Sequence, residues 1–273
     1  MGIHQQQVYD RAYACADSSY GFPDRKVIGA EKPDGQRILT LGCGTASDVW
    51  FLAERNCVFG VDYAYSGLKI AQRHRVEGLQ TDLIALPALP FRDSSFDVIV
   101  CKDLLEHLLE PLTVAREIAR VLKPTGYAVI NVPNHFYLPL RLRMLFRGTL
   151  RWKSIASDHS RDYEEWNYMH VRFFTYAGYI RFLEQAGLTP CRWFWDFGHL
   201  AHYLNPDMWI EPQEWKKEQG IPLSRRARIA LRFLKPGWRL FNLLVPRGFR
   251  SWLVSLRPGL LCSSFYVQCR RRI

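Results

Sequence analysis

The chain has 273 residues, of which 48% are apolar, and this is enough to bury a large core. Its net charge of +11 is unevenly placed: residues 221–273 carry twelve Lys and Arg and no Asp or Glu, whereas residues 1–220 balance at −1. A neutral body argues against a nucleic-acid-binding protein. The seven cysteines are scattered and never form Cys-x-x-Cys, so they indicate neither a disulfide framework nor a zinc knuckle, and we expect small buried residues.

The sequence has no feature typical of export or membrane insertion. The first twenty residues lack a basic start followed by an apolar block, and no window of about 18 uncharged apolar residues follows. We therefore expect a cytosolic protein.

Short apolar runs alternate with helical patterns through the first half of the chain. Residues 112–122 are amphipathic, with Ala115, Ile118, Ala119 and Leu122 on one face. The runs that predict buried parallel strands are residues 37–41, 57–62, 96–101 and 126–132. Such alternation predicts an α/β fold with a mostly parallel sheet.

A further helix and two strand candidates follow. Thr175 is a plausible N-cap and Gly187 a plausible end for the helix between them. The strand candidates at residues 189–195 and 263–271 lie about sixty residues apart, which predicts an insertion with its own structure before the last strand.

The first strand-to-helix turn contains two glycines, Gly42 and Gly44. In a doubly wound sheet this turn brings the backbone close to a ligand, but a dinucleotide loop would need a third glycine where this chain has Ser47. Asp62 ends the second strand about twenty residues later, where a carboxylate can bind ribose hydroxyls, and Asp82 follows the next strand. The ordered spacing of these acids favours a nucleotide-like cofactor.

Residues 35–190, which contain these features, resemble the class I S-adenosylmethionine-dependent methyltransferases. The segments "ILTLGCGTA", "GVDYAYSGL" and "TDLIALPALPFRDSSFDVIV" are similar to their successive motifs. The segments "KDLLEHLLEP", "LKPTGYAVINVPN" and "HVRFFTYAGYIRFLEQAGL" resemble the small-molecule branch that includes quinone-biosynthesis and cell-envelope enzymes. The resemblance implies a Rossmann-like fold with a seven-stranded, mostly parallel sheet flanked by helices.

The resemblance also implies the cofactor-binding residues. The methionine and ribose part of S-adenosylmethionine would lie against Gly42, Gly44 and Thr45, with Asp62 on the ribose hydroxyls. The adenine would be surrounded by Tyr63, Asp82 and Leu83, and Lys102 and Asp103 would face the methionine end and the acceptor. The chain departs from the family at Thr40, where an acid is common, and at Ala46, where a third glycine is frequent; Asp48 or Asp103 could compensate for Thr40.

Methyl transfer to oxygen needs orientation and a base. The candidate bases are His107 and His170, because a histidine with a pKa near neutrality can take a hydroxyl proton; a capping or packing role is the alternative for each. Glu106 and His107 could help to bind a divalent ion, but two ligands do not make a metal site, and we predict none. Asn134 and His135 begin an aromatic-rich region, extending to Tyr168, that suits an acceptor pocket.

Residues 222–257 combine Arg with Trp, Phe and Leu in a basic amphipathic pattern that Pro236 and Gly237 are expected to break. The pattern is typical of a helix lying on an anionic membrane. The alternative is a cap that covers the sheet or pocket with its arginines in water, and nucleic-acid binding ranks lower.

These observations predict a single methyltransferase domain. Its parts are an N-terminal helical lid (1–35), a cofactor-binding core (36–195), a helical basic cap inserted before the last strand (196–258), and the last strand with a basic tail (259–273). The predicted function is methyl transfer from S-adenosylmethionine to an oxygen of a small-molecule or lipid-linked acceptor, in the cytosol or peripherally on the inner face of the membrane. The alternatives are an RNA or protein methyltransferase and an inactive cofactor-binding partner module.

Overall fold

The computed structural model describes residues 25–85, 88–148, 170–195, 217 and 222–272. The predicted lid therefore lies mostly outside the described residues, as do residues 196–216 and 218–221 of the predicted cap and residues 149–169 of the predicted acceptor region.

A seven-stranded sheet organises the described chain. Its strands are β1 (Arg37–Leu41), β2 (Cys57–Asp62), β3 (Val76–Gln80), β4 (Phe96–Lys102), β5 (Leu122–Pro133), β6 (Leu188–Trp193) and β7 (Ser264–Arg271). They lie in the order β3-β2-β1-β4-β5-β7-β6, with β7 antiparallel to both β5 and β6 and the other neighbours parallel. The predicted Rossmann-like, mostly parallel sheet is confirmed.

Helices follow β2, β4, β5 and β6, whereas only a short 3₁₀ turn follows β1. The helices are α1 (Arg25–Ile28), α2 (Tyr65–Arg73), α3 (Pro111–Val121), α4 (Leu138–Arg147), α5 (Tyr176–Gln185), α6 (Arg225–Leu244), α7 (Arg247–Leu256) and α8 (Pro258–Leu261). Short 3₁₀ turns occupy Trp50–Leu52 and Leu105–His107. One core cluster packs α3 and α5 against one face of the sheet, and a second packs Val27, Ile28 and α2 against the other, so both faces are covered.

The ends of α5 follow the predicted chemistry. The Thr175 hydroxyl accepts a hydrogen bond from the backbone N–H of Gly178 at 3.1 Å, which caps the helix. Gly187 has a φ of +77°, a conformation that suits glycine after a helix end.

Two predicted helix boundaries were wrong. Leu122 begins β5 instead of ending α3. The ring of Pro124 disfavours the helical conformation at Lys123, the residue before it, so the helix ends before this pair. Helix α6 continues through Pro236 and Gly237. Proline removes only the hydrogen bond to the Arg232 carbonyl, and because Pro236 is exposed, water can replace that bond.

The six cysteines within the described residues are only partly as expected, and Cys15 lies outside these residues. Cys43, Cys101, Cys262 and Cys269 are buried free thiols, but Cys57 and Cys191 are exposed. Cys57 begins β2 and Cys191 lies on the edge strand β6, where strand residues face water.

Candidate functional site

The predicted cofactor residues meet at one edge of the sheet. Each group lies at or just after the carboxyl end of one of four adjacent parallel strands, β3, β2, β1 and β4. The strand order reverses between β1 and β4, and the crevice beside such a switch point is where open α/β sheets bind ligands. The sites in strand order are Asp82 and Leu83, then Asp62 and Tyr63, then Gly42, Gly44 and Thr45, then Lys102 and Asp103.

Asp62 fixes the glycine-containing loop. Its Oδ2 accepts a hydrogen bond from the Gly44 backbone N–H at 2.7 Å, and its Oδ1 accepts one from the Ala64 N–H at 2.8 Å. The carboxylate is largely buried at the end of β2. Because a carboxylate has about four acceptor positions, the same group can hold the loop and accept from ribose hydroxyls.

Gly42 and Gly44 adopt left-handed conformations, with φ of +63° and +51°. A side chain at Gly42 would also place its Cβ 3.1 Å from Leu104 Cδ1, in the segment that follows β4. Glycine at position 42 therefore serves both the turn and the close approach of two loops.

We expect Gly42→Ala to destabilise the fold by about 2 kcal/mol and to weaken cofactor binding, because it adds left-handed strain to a contact with Leu104. Urea unfolding measures the first effect and calorimetry with S-adenosylmethionine measures the second. Gly35→Ala is the matched control: Gly35 has the same φ, +64°, but nothing lies within 4 Å of its added Cβ. Equal destabilisation by both variants would contradict a role for the Leu104 contact.

The two departures from the family pattern have different structural consequences. Ala46 is fully buried with a φ of +56°, so it takes the left-handed conformation that a third glycine would accept without strain. Thr40 lies buried within β1 between Gly60 of β2 and Val100 of β4. Asp48 lies near the loop. Burial raises the pKa of the Cys43 thiol, and the negative charges of Asp62 and Asp48 raise it further.

The turn after β3 is held by its own aspartate. Asp82 Oδ1 accepts hydrogen bonds from the backbone N–H groups of Ile84 at 2.9 Å and Ala85 at 3.2 Å, while Leu83 is buried. Nearby, Gln80 Nε2 donates to the Tyr63 carbonyl at 3.0 Å. The Asp82 bonds fix the turn after β3, and the Gln80 bond ties the end of β3 to the turn after β2.

The end of β4 carries a charged pair. Lys102 Nζ lies 3.5 Å from Asp103 Oδ2, and Asp103 has a φ of +46°, a left-handed conformation that Asp tolerates better than most residues. The side-chain amide of buried Asn131, turned so that its nitrogen faces Asp103, donates to Oδ1 at 2.6 Å. Asn131 therefore orients Asp103 toward this edge of the sheet, a link that the sequence analysis missed.

The structure brings both candidate bases together beside a buried carboxylate. The His107 and His170 rings lie 4.7 Å apart between centroids, and the Nε2 atoms of His107 and His170 lie 3.9 and 4.0 Å from Glu106 Oε1. His135 Nε2 lies 2.9 Å from His170 Nδ1, within hydrogen-bond distance. Backbone bonds from the Val171 and Arg172 N–H groups to the Glu106 carbonyl hold this segment in place.

Burial controls the charge of this histidine cluster, defined as Glu106, His107, His135 and His170. Desolvation lowers the pKa of His135 to about 4, and the charge of nearby His107 contributes. Desolvation also lowers the pKa of His170 to about 3, with contributions from His107 and His135. Burial and the charge of Asp103 raise the pKa of Glu106. Burial therefore lowers the pKa of His170 below the near-neutral value that suits a base at pH 7, and a base role for His170 stays a prediction.

The cluster also has the composition of a cation site. One ligand atom each from Glu106, His107 and His170 lies within 4.8 Å of the others. Within the described part of the chain, neither carboxylate oxygen of Glu106 accepts a hydrogen bond from another residue. The sequence analysis counted two candidate ligands and the structure adds His170 as a third; the absence of a metal stays a prediction.

Asn134, predicted to begin the acceptor region, has a structural role. Its Nδ2 donates to the carbonyls of Gly259 at 3.0 Å and Cys262 at 2.6 Å, and its backbone N–H donates to Ser263. These bonds hold the end of β5 against α8 and the start of β7. His135 next to it is the residue that enters the cluster.

Asp97, near the start of β4, has a structural role. It accepts hydrogen bonds from the Arg37 backbone N–H at 3.0 Å and from Lys123 Nζ at 2.7 Å, at the edge of the sheet opposite the site. Burial favours a higher pKa, but these two bonds outweigh it and lower the pKa of Asp97.

Comparison with known sequences identifies the domain type. Residues 39–130 match the family described as "Methyltransferase domain". The chain is 32% identical over 133 residues to a protein named ubiquinone biosynthesis O-methyltransferase from Leptothrix cholodnii, covering 43% of this chain and 57% of that protein. The protein of the same name from Idiomarina loihiensis is 30% identical over 162 residues, covering 56% and 62%. The chain thus spans about half the length of the curated relatives it matches.

Solved structures share the fold at low sequence identity. The structure of a methyltransferase in complex with the Trm112 methyltransferase activator of Haloferax volcanii is 18% identical with a TM-score of 0.55, covering 97% of this chain and 98% of that one. The [4+2]-cyclase SpnF is 19% identical with a TM-score of 0.52, covering 91% and 80%. Because one of these neighbours is named a cyclase, the shared fold alone does not specify the chemistry.

Proposed function

Since this chain carries a class I S-adenosylmethionine-dependent methyltransferase domain, we propose that it transfers a methyl group to an oxygen of a small-molecule acceptor. The family and fold imply S-adenosylmethionine as the cofactor. The observation that carries the proposal is the joining of the glycine loop to Asp62 at the switch point of the sheet, with Glu106 and His107 in the 3₁₀ turn that follows the adjacent strand β4. The O-methyltransferase names of the relatives support oxygen as the attacked atom.

The residues present suit this cofactor. A buried carboxylate at the end of β2 fits a ribose diol, and a left-handed loop without side chains at Gly42 and Gly44 permits close backbone approach. We assign Gly42, Gly44 and Thr45 to the methionine and ribose part, Asp62 to the ribose hydroxyls, and Tyr63, Asp82 and Leu83 to the adenine. Lys102 and Asp103 would face the methionine end. When bound, S-adenosylmethionine supplies a methyl group already activated on a sulfonium.

The protein's chemical contribution is then the removal of the acceptor's hydroxyl proton. We assign that proton to His107, because the lowered pKa of His170 makes it the weaker acceptor. The imidazolium that forms would lie 3.9 Å from Glu106 Oε1, and its positive charge would favour the ionised form of this carboxyl, whose pKa is otherwise raised by burial. His135 and His170 share a hydrogen bond that would keep both rings oriented and neutral near the acceptor.

We further propose that the acceptor is lipid-linked and that the protein acts peripherally on the inner face of a membrane. The supporting feature is the acid-free, aromatic-containing segment 222–257. Within the described residues, no helix is both long enough and apolar enough to cross a bilayer. The cytosolic location stays a prediction.

Two other functions remain as alternatives. Methylation of RNA or protein would use the same cofactor site with a macromolecular acceptor. A cofactor-binding partner module without catalysis is the alternative that Thr40 supports, because threonine offers no charge to the cofactor's ammonium group.

An acceptor screen tests the proposal. The full chain is incubated with S-adenosylmethionine carrying a radiolabelled methyl group and with separate soluble-metabolite, lipid, RNA and protein fractions of the source organism. We expect label in the lipid or metabolite fraction, as an alkali-stable ether. Label only in RNA or in protein would overturn the small-molecule assignment, and binding without any labelling would favour the partner module.

A further inference from the structure

Helix α7 turns its apolar side outward, whereas an ordinary surface helix turns that side toward the core. Its inward side carries Val254, which lies in the main core cluster, and Arg250, whose guanidinium lies 5.7 Å from the centre of the Phe241 ring of α6. Its outward side carries large apolar residues at helical spacing i, i+3, i+4 and i+7: Phe249, Trp252, Leu253 and Leu256, each at least 41% exposed. Because surface helices normally bury such a stripe, α7 presents its apolar face to a partner.

The end of α6 extends the same kind of surface. Leu240, Leu243 and Leu244 lie at spacing i, i+3 and i+4, and the last two are 76% and 70% exposed. The sequence alternative, a cap that buries its apolar side and exposes only arginines, fits the beginning of α6, where Ala227 is buried and Arg228 is exposed. It does not fit the end of α6 or α7.

The charge of these helices indicates which partner they fit. Residues 222–257 contain nine Lys and Arg and no Asp or Glu. Arg225, Arg228 and Arg232 are exposed on α6, at spacing i, i+3 and i+7, so they project on one side of the helix. Exposed Trp, Phe and Leu beside arginines, in a segment whose own sequence contains no acid, match the headgroup and acyl boundary of an anionic bilayer.

We propose that the exposed faces of α6 and α7, defined by Arg225, Arg228, Leu243, Leu244, Phe249 and Trp252, form a docking surface for anionic lipid membranes. The arginines bind lipid phosphates while Trp252, Phe249 and the leucines enter the boundary between headgroups and acyl chains. This inference does not depend on methyl transfer, because docking is measured without cofactor or acceptor. It would bring the site close to a lipid-linked substrate.

Vesicle sedimentation of the full chain tests the surface. We expect binding to vesicles of phosphatidylglycerol and phosphatidylcholine in equal parts, weakening as salt rises, and little binding to phosphatidylcholine alone. The double variant Phe249→Ser, Trp252→Ser should bind about tenfold more weakly or worse. The variant Arg225→Gln, Arg228→Gln should lose about fivefold per arginine on the anionic vesicles only.

The matched control is Leu145→Ser, Phe146→Ser in α4, which removes two apolar side chains that are even more exposed, on another helix. It should bind as the wild type does, and circular dichroism should show all variants folded, since every replaced side chain faces water. Absence of wild-type binding to anionic vesicles, or equal loss in the control, would overturn the proposal. Self-association through α7, or RNA binding in place of vesicle binding, would do the same.

Discussion

The variant His107→Gln is expected to lower kcat for methyl transfer by about 10²- to 10⁴-fold while leaving S-adenosylmethionine affinity unchanged. His107 lies beside Glu106 in the 3₁₀ turn after β4, a few residues beyond Lys102 and Asp103, which we assign to the methionine end of the cofactor. Glutamine keeps the size and polarity of the side chain but cannot take a proton. Initial rates with the acceptor found by the screen, together with calorimetry for the cofactor, measure both quantities.

Two companion variants make this result specific. His170→Gln should reduce kcat less, because a group with a pKa of about 3 is a poor proton acceptor at pH 7. His74→Gln replaces a histidine that follows α2 and contacts Trp50, and it should leave the rate unchanged. A wild-type rate in His107→Gln would remove this residue from the mechanism.

A chelator separates the base from a metal ligand. Because Glu106, His107 and His170 could together hold a cation, loss of His107 would also impair a metal-dependent enzyme. With His107 as the base, dialysis against EDTA should leave wild-type kcat unchanged. Loss of activity on chelation, with recovery on adding Mg²⁺ or Zn²⁺, would contradict the base assignment.

Asp62→Ala is expected to weaken S-adenosylmethionine binding by about 10²-fold or more, since under our ribose assignment it would remove two charge-assisted hydrogen bonds, each contributing about 1.5–3 kcal/mol. It also releases the Gly44 and Ala64 N–H groups that the carboxylate now holds, so the loop loses its conformation. Calorimetry with S-adenosylmethionine and S-adenosylhomocysteine measures the loss.

Asp97→Asn is the control for Asp62. Asp97 also joins two strands, through Arg37 and Lys123, but it lies at the opposite edge of the sheet. Its loss should lower the free energy of unfolding by about 1 kcal/mol without changing cofactor affinity. Equal affinity in wild type and Asp62→Ala would refute the ribose assignment, and a wild type that fails to bind at millimolar cofactor would reject the methyltransferase proposal.

The strands were predictable because their signals are local. The runs at β1 and β2 have the predicted bounds, since a short apolar stretch between glycines or turns has few alternatives to a buried parallel strand. Boundaries set by proline were harder to predict. The Leu122 error came from extending the helical face of α3 by one residue, up to the Lys123-Pro124 pair. The Pro236 error came from treating an exposed proline as a helix end.

The histidine cluster could be predicted only in part. His107 and His170 were candidates from their residue type, but 34 residues separate His170 from His135, and no sequence periodicity connects them. The burial of Glu106 likewise depends on the 3₁₀ turn after β4 and on the segment starting at His170, which bonds to the Glu106 carbonyl. One signal was available: Glu106 and His107 directly follow a strand in the motif that carries Asp103.

By itself, the sequence determined the α/β class, the glycine loop, the acids that follow β2 and β3, and the acid-free basic segment. Each of these depends on residues near one another in the chain, whose apolar spacing or backbone freedom restricts them to one local structure. The tertiary structure alone decided which side of α7 faces outward, how burial lowers the pKa of His170, and that Asn131 orients Asp103. These properties depend on desolvation and on contacts between distant segments, which exist only once the sheet has formed.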